Sequence, residues 1–413
     1  MKRNRATTSI KPRRKTLLLL LLLFTLALLA GSFMLPASRV AAARDAEDVK
    51  DVEQQLSDNV SEQLGQLDTG MFDSFLGEVE GGAFRIFGAN TFKDKMQNIL
   101  SGETADYGNI FGLIAELFFG EVLKLLPVLA AVVAAAVACN LLGSVREDKS
   151  RSGHVIHFVC YLAIVLIVLS VVYQLVNLTV SAIGTVSGFM QLLFPVLLTL
   201  MAASGSAASG AIYQPAAALL TGTVSTVITA VIVPLFLASM VLNIVGHFTD
   251  NVRIGKFSDF FKSTGQWVLG IVFTVYMAFL SIQGITAATH DSVSIRAVKY
   301  AVGNSIPLVG GYLREGFDLI LGSTVLIKNA AGTAGLVLLI AYAVTPLFFM
   351  VAASLGLKLC AAICEPVCDR KIPDFLTRTA KSFNLLIAAF LSAMFMFFIT
   401  ILLLLMTSNA VLS

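Results

Sequence analysis

The chain has 413 residues, 57% of them hydrophobic and only 13% charged, with a mean hydropathy of +0.84. A soluble domain carries about 25% charged residues, so this composition excludes one, and uninterrupted apolar runs of 20 residues or more indicate an integral membrane protein. The net charge of +3 is segregated: residues 1–43 hold eight Lys/Arg and no acid, 44–110 hold five basic and fourteen acidic residues, and the rest hold sixteen and twelve. That distribution is topogenic and excludes a nucleic-acid partner.

The N-terminus reads as an export signal over residues 1–43. Lys2, Arg3, Arg5, Lys11, Arg13, Arg14 and Lys15 precede an apolar core from Leu17 to Leu35, and Ala41-Ala42-Ala43 supplies a small-residue cleavage site. The core exceeds the usual length of about 7–15 residues, so an uncleaved first helix is the competing reading. Either way, residues 44–110 are expected outside the cytoplasm. Within them Val49, Val52, Leu56, Val60, Leu64, Leu67 and Met71 recur at spacings of three and four among acids, which predicts an amphipathic helix over 44–80. Its acidic face is expected to be solvated, with a docking surface for an extracytoplasmic partner as the alternative. "GEVEGGAFRIFGAN" then breaks the chain, and 91–118 predicts a short helix leading into the membrane.

Residues 111–413 form the expected polytopic domain, an all-α body of about 6–8 membrane helices. The clear spans are 119–142, 155–179, 216–246, 266–288, 333–356 and 383–406. Two stretches are ambiguous. The first, 186–215, contains ten consecutive small residues, Ala202 to Ala211, between Pro195 and Pro215. The second, 296–328, is apolar but punctuated by Arg296, Lys299, Arg314, Glu315, Asp318 and Lys328.

The excess of Lys and Arg in cytoplasmic loops decides how both are read. With 44–118 outside, "GSVREDKSRSGH" falls inside, as its Arg146, Lys149 and Arg151 require. A full crossing by 186–215 would put Arg253, Lys256 and Lys262 outside. Both stretches are therefore predicted to be broken, re-entrant hairpins that enter and leave on the outer side. Pro195 and Pro234 are 39 residues apart, as are Pro307 and Pro346, and the offset between the pairs is 112. A tandem repeat of 155–246 and 266–356 is expected from this. Discontinuous helices at a repeat interface are a transporter device, and irregular backbone must there be packed in protein or line a water-filled cavity.

No enzyme constellation is present: the four histidines form no H-E-x-x-H signature, and there is no Walker loop and no G-x-S-x-G elbow. No catalytic, cofactor-binding or metal-ligating residue is predicted. The confident spans hold few ionisable groups, Glu121 and Lys124 among them, which argues against a proton-driven pump. Gln174, Asn177, Gln191, Asn243 and Gln283 are read as helix-to-helix hydrogen-bonding groups. Cys360, Cys364 and Cys368 recur every four residues, but Pro366 interrupts them and no His is near, so packing is expected. Candidate hairpin or pore-lining residues are Pro195, Ser204, Gly205, Gly210 and Pro215 in the first hairpin, and Pro307, Arg314 and Asp318 in the second.

"PVLLTLMAASGSAASGAIYQPAAALL", "SIQGITAATHDSVSIRAVKYAVGNSIPLVGGYL" and "STVLIKNAAGTAGL" resemble the stage III sporulation protein AE family of endospore-forming bacteria. The resemblance implies an exported N-terminus, a multi-pass body in the mother-cell, outer forespore membrane and a part in engulfment-stage sporulation. It implies as partners, besides the lipid bilayer, the other proteins of a stage III complex and a forespore-side protein. Together they make a channel-like connection that keeps the forespore competent for late gene expression. A homo-oligomer is left open. The family supplies no catalytic residue, and a permease moving a small solute through the repeat interface is the alternative reading.

Overall fold

The computed structural model describes residues 59–60, 62–65, 69–77, 88–102, 110–144, 151–248, 255–305, 310–368 and 370–407. All of them belong to one compact unit, Glu53–Ser413. The predicted export signal and its cleavage site lie outside the described residues, which form helices and turns and no strand.

Two short helices come first, α1 (Gly70–Leu76) and α2 (Phe92–Leu100). The amphipathic pattern is met in part. Val60 and Leu64 are buried as the spacing requires, but Met71 is 62% exposed, because α1 starts afresh after Thr69 and turns Phe72, Phe75 and Leu76 inward instead. Val49, Val52, Leu56 and Leu67 lie outside the described residues. An Asp73 carboxylate oxygen accepts from the Phe92 amide at 2.7 Å, and the Thr91 hydroxyl accepts from the Asp94 amide, so the free N–H groups that open α2 are satisfied from both sides. Phe72 and Phe92 stack with ring centroids 4.5 Å apart, which fixes the two helices against each other.

Among the described residues, six helices are long and apolar enough to cross a bilayer. They are α3 (Ile110–Ser144), α4 (Arg151–Ala203), a composite helix running from α5 (Ala207–Leu219) to α6 (Val233–Phe248), α7 (Gly255–Ser305), α8 (Gly310–Cys364) and α9 (Lys371–Thr407). Every clear span read from the sequence falls inside one of them. Between α5 and α6 lie two π-helical turns, Leu220–Val224 and Ile228–Ile232, separated by a single α-turn. There the hydroxyls of Thr226 and Thr229 donate back to the carbonyls of Gly222 and Ser225.

The first ambiguous stretch does reverse the chain, but over three residues rather than thirty. α4 continues without interruption from the expected span 155–179 through 186–203, with Pro195 inside it, and turns only at Ser204–Ser206. A mid-helix proline costs roughly 3 kcal/mol. Here Leu193, Phe194, Leu197 and Met201 are all buried around it, so close packing against neighbouring helices holds the chain helical on both sides of the proline. In the second stretch α7 runs to Ser305 and α8 starts at Gly310, and Pro307 lies between them, outside the described residues.

These helices exceed a single crossing. The 53 residues of α4 span roughly 80 Å at 1.5 Å per residue, against a hydrocarbon core of about 30 Å. The expected hairpin over 186–215 is the end of α4, the turn Ser204–Ser206 and the start of α5. The Lys and Arg residues follow the same plan. They lie in the joints 145–150, 249–254 and 365–370, while 204–206 and 306–309 carry no charge themselves, although Lys299 and Arg314 flank the latter. Gly255 lies against Arg378, and the Lys262 ammonium donates to the Lys381 carbonyl, so the second and third basic joints share one end of the bundle.

α9 is the central helix, with 78% of its apolar window buried. α8 approaches its neighbours through glycines: a methyl group placed on Gly332 would run into Leu405 of α9, and one on Gly356 into Leu129 of α3. One on Gly335 would sit 2.6 Å from Leu193 of α4. Small residues at such points let helix backbones come close where no hydrophobic effect drives association.

Candidate functional site

The most unusual backbone in the body is the α4–α5 turn. Gly205 has φ +85°, in the left-handed region, where it carries no Cβ penalty. The Ser206 amide donates to the Met201 carbonyl at 2.8 Å and the Gly205 amide to Ala202 at 3.1 Å, the paired bonds that close a helix with a glycine one residue past its cap. Gly210 N–H then donates to the Ser206 carbonyl, which opens α5. Ser204, Ser206 and Ser209 are fully buried. A short turn made of small residues allows this, since its backbone satisfies itself and its side chains take little room.

Polar groups from three helices gather along this turn and α5. The Gln283 side-chain amide of α7 donates to the Ile212 carbonyl at 3.0 Å, and the Thr407 hydroxyl, at the end of α9, donates to the buried Tyr213 hydroxyl at 3.2 Å. The Ser204 hydroxyl donates to Met201. Two buried oxygens, Ser206 Oγ and Gln283 Oε1, have no hydrogen-bond partner in the protein. Native structures leave few such atoms, and an ordered water or a bound solute is the usual explanation.

Lys328 is fully buried in α8, with its ammonium donating at 3.1 Å to both the Leu404 and Leu405 carbonyls. Those carbonyls sit at the C-terminal end of α9, where the helix dipole favours a cation. Elsewhere some buried polar groups join helices, as expected for Asn243, whereas Gln174, Asn177 and Gln191 are exposed. The Asn243 amide donates to Thr379, and Ser239 pairs with Ser258. Glu121 and Lys124 pair at 2.7 Å within α3.

The predicted site residues are thus dispersed. Ser204 and Gly205 form the turn, and Gly210 packs its backbone against Leu198. Pro195 and Pro215 lie on the exposed sides of α4 and α5. Arg314 and Asp318 lie in the first turns of α8, with their side chains outside the described residues. Sequence reading passed over Tyr213 and Thr407, and treated Lys328 as one of several interfacial charges. A lone lysine inside an apolar run was the available signal for a buried partner.

The segment ahead of the membrane also reaches this body. Phe75 packs on Phe189 of α4 and Tyr342 of α8 at 4.7 and 5.5 Å, and Gln63 donates to Ser323 of α8. α1 therefore packs against both α4 and α8. Among the described residues no group of three or more His, Cys, Asp or Glu is placed to hold a metal ion. The turn offers hydroxyls, one carboxamide and backbone carbonyls, groups that hold water or an uncharged polar solute.

The family model for stage III sporulation protein AE matches residues 90–408, from α2 to the end of α9. The chain belongs to the stage III sporulation protein AE family. It is also similar to stage III sporulation protein AE of Bacillus subtilis (strain 168), 27% identical over 293 residues, which are 70% of this chain and 73% of that protein. No solved structure matches. The match takes in α2 and all six long helices, so the packed segment at 90–102 belongs to the family's body.

Proposed function

We propose that this chain is a non-enzymatic, multi-pass component of a stage III sporulation channel complex linking mother cell and forespore. It sits in the mother-cell, outer forespore membrane, supports late forespore gene expression, and works with other stage III proteins and a forespore-side partner. The family match over 90–408 carries this reading. Residues 155–246 and 266–356 act as two tandem units within it, each a long helix, an uncharged joint and a second long helix.

Deleting the protein in its sporulating host is expected to abolish late forespore gene expression after engulfment, and the tagged protein is expected to purify with other stage III proteins. Normal late expression in the deletion strain, or recovery of the tagged protein alone, overturns the proposal.

One observation favours the permease reading within the same frame: the two partnerless oxygens, Ser206 Oγ and Gln283 Oε1, beside the α4–α5 turn. On that reading Ser206→Val leaves complex assembly intact while late expression falls. A variant that assembles and complements fully removes the solute path and leaves the scaffold.

A further inference from the structure

At the basic end of the bundle the first turns of α7 and α9 bring cations together from distant parts of the chain. The Lys262 ammonium of α7 donates to the Lys381 carbonyl of α9, 119 residues away. A methyl group placed on Gly255 would sit 3.1 Å from the Arg378 guanidinium, which sets the start of α7, with Lys256, against Arg378. Lys256, Arg378 and Lys381 are exposed, and among the described residues none of the three makes an ion pair. Asp259 and Asp374, the carboxylates on the same turns, are exposed as well and pair with none of them. The positive-inside rule accounts for basic residues at this end, but not for their meeting at one helix interface without carboxylate partners.

Beside this cluster, further into the membrane, the exposed side of α7 carries a groove of about 400 Å³ lined by Gln266, Trp267, Gly270, Ile271, Thr274 and Val275. Gly270 opens its floor, since nothing lies within 4 Å of where a side chain would be. The Thr274 hydroxyl donates to the Gly270 carbonyl at 2.7 Å, so its polarity is spent within the helix and the floor stays apolar. Trp267, the single tryptophan of the chain, is 73% exposed, and Phe257 and Phe260 are exposed between it and the joint. Exposed aromatic rings next to Lys and Arg belong at the membrane–water interface. Lys262 to Val275 is about 20 Å along the helix at 1.5 Å per residue, against about 15 Å of hydrocarbon in one leaflet. Cluster and groove together therefore cover one leaflet with its head group.

We propose that the α7–α9 interface binds an anionic diacyl phospholipid of the cytoplasmic leaflet. Its phosphate sits among Lys256, Lys262, Arg378 and Lys381, and one acyl chain lies along the groove beside Trp267. Charge complementarity selects the head group, because cations without carboxylate partners attract anionic lipid at the cytoplasmic surface, and the Arg378 guanidinium offers a fork of donors to phosphate oxygens. A free phosphate would use the cations and leave the groove empty. Their adjacency points to a ligand with a charged head and an apolar tail.

The test uses the full chain in nanodiscs and reads Trp267 fluorescence, to which no other tryptophan contributes. Phosphatidylglycerol brominated on its acyl chains quenches rings that it touches. It is expected to be enriched at Trp267 roughly fivefold over brominated phosphatidylcholine at equal mole fraction, as the attraction of one cation at an anionic surface gives. Arg378→Gln with Lys381→Gln is expected to abolish the enrichment and to leave quenching by brominated phosphatidylcholine unchanged, which shows the groove intact. Arg146→Gln with Lys149→Gln, in another basic joint, is expected to preserve it. Gly270→Leu, which fills the groove, is expected to reduce quenching by both lipids, and excess inorganic phosphate at matched ionic strength to leave the preference in place. Equal quenching by the two lipids, or a preference that survives Arg378→Gln with Lys381→Gln, overturns the proposal. So does a preference lost equally with Arg146→Gln and Lys149→Gln, unchanged quenching in Gly270→Leu, or a preference erased by inorganic phosphate.

Discussion

Gly205 shows how much of this fold hangs on single backbone positions. Its φ of +85° lets a helix of 53 residues stop and another begin with Ser204 and Ser206 fully buried. A side chain there meets the left-handed penalty, roughly 1–2 kcal/mol. Gly205→Ala is expected to lower the stability of the purified protein by about that much, whereas Gly205→Asn recovers part of the loss because Asn tolerates this conformation. Thermal unfolding in detergent measures both; equal midpoints for Gly205→Ala and the parent protein reject the assignment. The run Ala202–Ala211 was visible in the sequence as something other than an ordinary span. Which glycine bends was not, because Gly205 and Gly210 look alike until the hydrogen bonds at Met201 and Ala202 separate them. Lys328 was equally hard to place, since nothing in its neighbourhood names Leu404 and Leu405, 76 and 77 residues away, as its acceptors.

Among the elements, α8 makes close approaches to three of its neighbours, and each goes through a glycine. Gly332 meets Leu405 of α9, Gly335 meets Leu193 of α4, and Gly356 meets Leu129 of α3, while Gly270 on α7 faces open space. Overpacking a closed interface costs roughly 1–3 kcal/mol. Gly356→Leu is therefore expected to loosen α3 from α8 and to lower the unfolding midpoint by more than Gly270→Leu, with the protease sensitivity of the 145–150 joint rising alongside. Equal shifts in the two variants overturn the close-packing argument. The helices themselves were legible from apolar length. Their true extents were not, because Pro195 and the small residues after it look like a helix end and the packing of the flanks overrides that signal. The two π turns were hidden for a related reason. "TGTVSTVITA" reads as a mildly polar stretch, and only the hydroxyl bonds of Thr226 and Thr229 to preceding carbonyls show how the widened backbone is satisfied.

At the scale of the molecule, charge and connectivity agree on a single through-plan. Six long helices and five joints place 145–150, 249–254 and 365–370 at one end and 204–206 and 306–309 at the other. The first three joints contain Lys or Arg, and the other two carry no charge themselves, although Lys299 and Arg314 flank 306–309. This alternation was readable in the sequence from the charges alone. It did not require the hairpins to be re-entrant, only that each return to the side from which it came, and the long α4–α5 and α7–α8 pairs do so. The packing of α1 and α2 on Phe189 and Tyr342 was not readable, because no periodicity in residues 44–110 names a partner helix. On the positive-inside rule the basic joints face the cytoplasm. Single cysteines placed at 148 and 252 of a cysteine-free version are expected to react with an impermeant maleimide only after the cells are opened. A cysteine at 207, next to the uncharged turn, is expected to react in intact cells or not at all. Labelling of 252 from outside while 148 stays protected means that α4 to α6 cross an odd number of times between them, which the six-helix plan forbids.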